Sequence, residues 1–259
     1  MATVADILQF IESIAPPYMA EDWDNVGLLC GRKDKEVRRL LVALDPFRTV
    51  IDEAIAQEAD LIVTHHPLIF RSPLTAVNED TETGRCLLTL IEHGIAAINA
   101  HTNLDLAPGG VNDVLARTLG LSNIEIINPT DNYGLLRKGD VAEQSLEAFL
   151  GTVKNALRCR GLRYVDGRKP VRVVAVGGGS CADGMHEALA AGCDTFVTSD
   201  IKYNQFRTAW ELGLNLIDAG HFHTENPVMP IVAEKLRADF PGVEVIFSEN
   251  HTDVMNFFV

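Results

Sequence analysis

Residues 41–66, LVALDPFRTVIDEAIAQEADLIVTHH, align without a gap on residues 175–200, AVGGGSCADGMHEALAAGCDTFVTSD. Each stretch reads as strand, loop, helix, strand, and a chain that carries one supersecondary unit twice has to bury both copies. The runs LIVT (61–64) and TFVT (195–198) lack polar alternation, the signature of strands covered on both faces in a parallel sheet. Thr49 and Asp183 fall at equivalent places and are expected to cap the helix that follows. Farther on, EHGIAAIN (92–99) matches ELGLNLID (211–218), and each runs into a histidine followed four residues later by an acid: His101 then Asp105, His221 then Glu225. Two matches in the same order predict an α/β protein of two related lobes from an internal duplication, its sheets mostly parallel and flanked by helices.

Helical periodicity also covers residues 4–14, with Thr3 as cap and Pro16-Pro17 as stop, and residues 81–93, 110–119, 143–157 and 227–238, with a strand at 243–247. The turn-rich stretch 128–134 (NPTDNYG) places the lobe boundary there. The expected organisation is a first lobe over 1–127, a second over 128–226, and a segment, 227–259, that returns to the first.

Bulk properties narrow the function. At 259 residues, with 47% hydrophobic and 22% charged residues, the chain has enough apolar mass for a real core. A net charge of -14 argues against an extended phosphate-tracking surface, so nucleic acid is an unlikely partner. Five scattered cysteines without a C-x-x-C pair read as reduced and mostly buried. With no apolar run approaching a membrane span and no leader-like N-terminus, the expectation is a cytoplasmic protein with no membrane partner.

In parallel α/β sheets ligands gather beyond the carboxyl ends of strands. His65, His66, Asp105, His221 and Glu225 all stand at or just after such ends, and imidazoles mixed with carboxylates are the parts of a site for two divalent metals. Two lobes facing each other would bring the five to a metal site between them. Neighbours in an extended strand point to opposite faces, so a shared site needs the chain to turn at His65-His66, which Pro67 favours. Each signal also has a plainer reading. His-His-Pro can be structural, and Asp105 can stabilise its own loop. The His221/Glu225 spacing can serve a capping network in which Thr224 caps a helix starting near Pro227. Gly177-Gly178-Gly179-Ser180 can be a phosphate cradle or a tight turn, Lys202-Tyr203 an anion site or a surface pair, and Trp23-Asp24-Asn25 a pocket wall or a packed loop.

Together, His65-His66-Pro67, His101-Thr102-Asn103-Leu104-Asp105, Ser199-Asp200-Ile201-Lys202-Tyr203 and Gly220-His221-Phe222-His223-Thr224-Glu225 resemble the Nif-three-like family of GTP cyclohydrolase 1 type 2 homologues. Glu21–Leu28 and His251-Thr252-Asp253 fit it too, so the resemblance spans nearly the whole chain, in the short form without an inserted domain. It implies a two-lobed α/β subunit, a ring-shaped homohexamer, and a dinuclear centre ligated by His65, His66, Asp105, His221 and Glu225, with Glu225 as bridging ligand. Asn204 stands where the family often has histidine after Lys-Tyr, so His101 or His223 is left as the candidate acid or base. The implied function is a metal-dependent hydrolase that uses iron, zinc, manganese or nickel on a nucleotide-like small molecule. The alternative is a non-catalytic metal-binding or interaction scaffold.

Overall fold

The computed structural model describes residues 1–70 and 74–258. Its eleven strands are β1 (Gly27–Cys30), β2 (Arg39–Ala43), β3 (Leu61–Thr64), β4 (Ala96–Asn99), β5 (Ser122–Ile126), β6 (Arg137–Gln144), β7 (Arg163–Val165), β8 (Val171–Val176), β9 (Thr195–Thr198), β10 (Asn215–Asp218) and β11 (Glu244–Phe247). They form two sheets, ordered β1-β4-β3-β2-β11 and β5-β6-β8-β9-β10-β7. The chain divides into two compact units: Met1–Leu104 with Met229–Thr252, and Asp105–Val228 with the tail from Asp253.

The duplication extends to the register of the strands. In the first unit Leu40 pairs Leu61, which pairs Ala96; in the second Val174 pairs Thr195, which pairs Asn215, all parallel. These are the positions that the repeat alignment equates. An antiparallel edge strand completes each copy, β1 against β4 and β7 against β10. The copies part company on the other side. There β11 lies parallel to β2, whereas β6 lies antiparallel to β8 and β5 antiparallel to β6. Mostly parallel sheets therefore describe the first unit only. Between β5 and β6 the chain turns at residues 128–134, where Thr130 and Tyr133 exchange backbone bonds of 2.8 and 2.9 Å, and so short a link joins antiparallel neighbours.

The apolar runs follow from burial on both sides of each sheet. Val197 and Ile217 pack with Phe149 and Val153 of the helix Leu146–Ala156, while Phe196 and Leu216 pack with Met185 and Ala188 of the helix Met185–Ala190. In the first unit Leu41, Ile62 and Ala97 share a core with the helices Arg48–Ala56 and Glu82–Glu92. Leu40, Leu61, Val63 and Ile98, which alternate with them, are buried as well. All five cysteines are free and buried. Desolvation holds the thiols protonated, Cys159 at about 12 and Cys193 at about 11. Among the described residues no helix is long and apolar enough to cross a membrane.

Helix ends were only partly foreseen. Thr3 forms a capping box with Asp6, and Thr81 and Ser145 cap their helices through side-chain oxygens. Thr49 and Asp183 do not cap: the first helix of the repeat starts behind Phe47, two residues earlier than a Thr49 cap requires, and Asp183 sits inside a 3-10 turn, Ala182–Gly184. Both loops leave their strand too tightly for a cap at those positions.

The second unit buries one full charge. Arg137 is completely enclosed, donates through Nε to Asp113 Oδ1 at 2.7 Å, and spends its other nitrogens on the carbonyls of Gly134, Leu106 and Ala107. Burial pushes the Asp113 carboxyl up, but the Arg137 bond and the Gly109 amide outweigh it and leave the pKa below the usual 3.8. Asp113 thus stabilises the fold above the ordinary carboxylate range, and that contribution is lost as pH falls through its depressed folded pKa. Arg137→Met, which strands the carboxylate, should cost about 3–5 kcal/mol in urea unfolding at neutral pH. The loss should shrink on acidification, because protonation removes the stranded charge.

Candidate metal centre

Three imidazoles meet in the first unit. After β3 the His66 amide donates to Leu44 O at 2.9 Å and the Thr64 hydroxyl to His66 O at 2.7 Å, so the strand is broken where the two histidines stand. The turn expected from Pro67 is present. It brings the His65 and His66 rings to 4.9 Å, and the His101 ring, arriving past the end of β4, lies 5.2 and 5.6 Å from them. One ring nitrogen from each falls within 4.8 Å of the other two, a group able to hold a metal ion.

The protons are placed by what faces Nδ1. His65 Nδ1 lies 2.9 Å from Ala100 O, and a carbonyl only accepts, so the proton is on Nδ1 and the lone pair on Nε2. His66 Nδ1 meets Asp45 Oδ1 at 2.6 Å, and His101 Nδ1 meets Asp24 Oδ1 at 2.8 Å. Asp24 Oδ2 is occupied by the Thr102 amide at 3.0 Å and by its hydroxyl. Burial pushes the Asp24 carboxyl up, but the His101 and Thr102 hydrogen bonds outweigh it and hold the pKa at about 2. Asp24 is therefore a fixed anion behind His101. Trp23 and Phe70, both about half exposed, stand edge-on to that ring at 6.1 and 6.0 Å.

The second unit holds further candidate donors of its own. His221 and Glu225 bracket a five-residue helix of their own, His221–Glu225, with Nε2 and Oε2 at 3.1 Å. Thr224 does not cap the next helix; its hydroxyl donates back to Gly220 and His221 and accepts from the Gly179 amide at 3.0 Å. His221 Nδ1 lies 2.7 Å from Asp200, a non-glycine residue held at φ +53°. Asp105 is buried on the short helix Thr102–Leu106, and the division between the units falls one residue before it. The His223 ring faces Leu157 O at 3.1 Å and Asp253 Oδ2 at 3.2 Å, tying the chain's tail to this helix. Asn204 is exposed at the start of the helix Tyr203–Leu212, and Lys202 and Tyr203 beside it are exposed too.

The triple-glycine loop is a turn built for a carboxylate of the protein itself. The amides of Gly178 and Gly179 donate to Asn112 and Thr224, which leaves neither for a phosphate. Gly179 sits at φ +64°, and a Cβ there would stand 2.1 Å from Glu225 Oε1 and 3.2 Å from His221 Nε2. The cradle that glycine clears is thus filled by these two donors. Asp45, Asp24 and Asp200, which orient the histidines, were not foreseen in that role; for Asp45 the only sequence signal was a carboxylate just past an apolar strand.

The model of the Duf34/NIF3 family (NGG1p interacting factor 3) matches residues 2–254. The chain belongs to that family. A Clostridium perfringens relative named GTP cyclohydrolase 1 type 2 homolog is 37% identical over 258 residues, covering 97% of this chain and 98% of its own. A Staphylococcus aureus hypothetical protein superposes with a TM-score of 0.91 at 31% identity, and a Bacillus cereus protein related to NIF3 with 0.90 at 28%, each covering 99% of both chains.

Imidazole nitrogens with fixed tautomers, grouped in the first unit and set beside a buried carboxylate in the second, suit a borderline divalent cation better than calcium, which prefers oxygen alone. Gly179→Ala should lower stability by about 1–3 kcal/mol, since both the positive φ and the Glu225 carboxylate oppose a methyl group. Thermal unfolding checks this, and Gly192→Ala is the control: its φ is +84° but no atom lies within 4 Å of the added carbon.

Proposed function

We propose that the protein is a metal-dependent hydrolase acting on a nucleotide-like substrate, with His65, His66, Asp105, His221 and Glu225 as donors to two divalent cations. The observation that carries the reading is the set of imidazoles whose Nδ1 atoms are each committed to a carbonyl or carboxylate, which turns the lone pair of His65, His66, His101 and His221 to Nε2. The name of the Clostridium perfringens relative supports the substrate class. Iron, zinc, manganese and nickel all fit this donor set.

When bound, the cations supply Lewis acidity, which acidifies water and withdraws electron density from a substrate oxygen. The chain's own contribution is proton handling and orientation. His101 is the acid-base residue of this proposal. Its Nε2 is in the first-unit imidazole group, and the Asp24 anion behind it stabilises the imidazolium formed when Nε2 takes a proton. His223, the other candidate, has a carbonyl and a carboxylate across from its two nitrogens, which fits an anchor for the tail. Assembly as a hexameric ring belongs to the same proposal and rests on family resemblance.

Protein purified without chelators should carry about two equivalents of transition metal per chain by elemental analysis and hydrolyse a member of a nucleotide and phosphoester panel. His65→Ala should lose both. A metal-replete protein inert across the panel overturns the hydrolase reading. Asp24→Asn should keep the metal but lower kcat by about 10²-fold, with the acidic limb of the pH-rate profile displaced to lower pH.

A further inference from the structure

Trp23 is 60% exposed, yet the loop that carries it is fixed on both sides. Ahead of it the Glu21 amide donates to Thr102 Oγ1 at 3.0 Å. Behind it the Asp24 amide donates to Glu21 O at 2.9 Å, and the Asp24 carboxylate is spent on His101 and Thr102. Asn25 donates through Nδ2 to Ile69 O at 2.8 Å, and its own carbonyl accepts from Asn99 Nδ2 at 3.1 Å. Every side-chain bond in this set but the Glu21 turn joins the loop to residues remote in sequence, so the loop is pinned to the body of the first unit. It presents a large apolar ring to water at a constant place. A lone exposed aromatic would be unremarkable, but Phe70, itself half exposed, stands 6.0 Å from the indole, and His101 stands 6.1 Å from it. Both neighbours meet the indole at steep angles, 65° and 78°, so neither lies flat on it.

We infer that Trp23 is a specificity-determining residue, whose indole stacks on the planar ring of the substrate and holds it beside His101. The inference deepens the hydrolase reading and rests on it. Stacking is a contact between faces, and its strength follows ring area and not the donors and acceptors on a ring's edge. Trp23 therefore separates substrates with a ring from those without one, and large rings from small ones. It does not separate guanine from adenine, so its share of the affinity is the same for both. The pinned loop adds to this share, because the indole is already in place and binding costs no ordering of the backbone. A division of labour follows within one loop. Asp24 sets the charge behind His101, and Trp23, one residue earlier, sets which molecule reaches it. Trp23 thus acts on KM and leaves the proton transfer to its neighbour.

The chain has two tryptophans, Trp23 and Trp210, so Trp210→Phe leaves Trp23 as the one indole whose fluorescence is read. In that protein, purified without chelators, GMP, AMP and CMP should quench the emission and ribose 5-phosphate should not. Calorimetry on Trp23→Ala should show GMP and AMP weakened alike, by about tenfold, CMP weakened less, and ribose 5-phosphate unchanged. Trp23→Phe, which keeps an aromatic face, should recover most of the loss and covers the case in which the alanine variant fails to fold. In turnover the alanine variant should raise KM by a similar factor with kcat within about twofold of the parent. No quenching by any of the three nucleotides overturns the stacking role. So does a loss confined to GMP, a loss shared by ribose 5-phosphate, or a change in kcat with KM unmoved. Binding separates this from the hydrolase reading. Quenching that follows ring size without turnover of any panel member sinks the hydrolase and leaves the stacking role. Turnover whose KM is unchanged in Trp23→Ala sinks the stacking role and leaves the hydrolase.

Discussion

Burial of the repeated three-strand core on both faces is the constraint from which the rest follows. Leu40, Leu61, Val174 and Val197 are fully enclosed, and apart from the amino-terminal Arg39 of β2 and Arg172-Val173 of β8 the residues of β2–β3–β4 and β8–β9–β10 are buried too, so the strands themselves offer little to a ligand. The candidate donors stand beyond the carboxyl ends. In the first unit, His65 and His66 stand after β3 and His101 after β4. In the second, Asp200 stands after β9 and His221 after β10. A rigid apolar platform then lends its precision to whatever its loops present.

Orientation is the second layer. Each candidate imidazole is held through Nδ1, in the first unit by Ala100 O for His65, Asp45 for His66 and Asp24 for His101, and in the second by Asp200 for His221. The two halves solve the same problem with one device, a carboxylate behind the histidine that follows the third core strand: Asp24 behind His101, Asp200 behind His221. The positive φ of Asp200 is consistent with strain accepted at a position whose carboxylate has a fixed target. Gly179 belongs to the same economy of space, since its missing side chain is the room that the Glu225 carboxylate occupies.

Much of this was legible in the chain. The repeat in residues 41–66 and 175–200 foretold not only the strands but the register in which they pair, because a two-sided core leaves no freedom to slip. The candidate donors could be picked out because they follow apolar runs closely. The edge strands were not: β7 is three residues long and its burial is slight, so it has no pattern to read. The capping roles of Thr49 and Asp183 also failed, since where a helix starts depends on how tightly its loop leaves the strand. The triple-glycine stretch left two readings open, and hydrogen bonds from its amides to Asn112 and Thr224, 66 and 45 residues distant in sequence, decided between them.

The sequence by itself determined the α/β class and the duplication and singled out the candidate donor side chains, because apolar periodicity and residue chemistry are local properties. The tertiary structure alone decided which nitrogen of each histidine carries the proton and which carboxylate stands behind it. It also decided that β5 and β6 close the second sheet antiparallel, and that the exposed Trp23 stands beside His101. Those outcomes depend on groups far apart in the chain, such as Asp24 and His101, whose meeting no local pattern encodes.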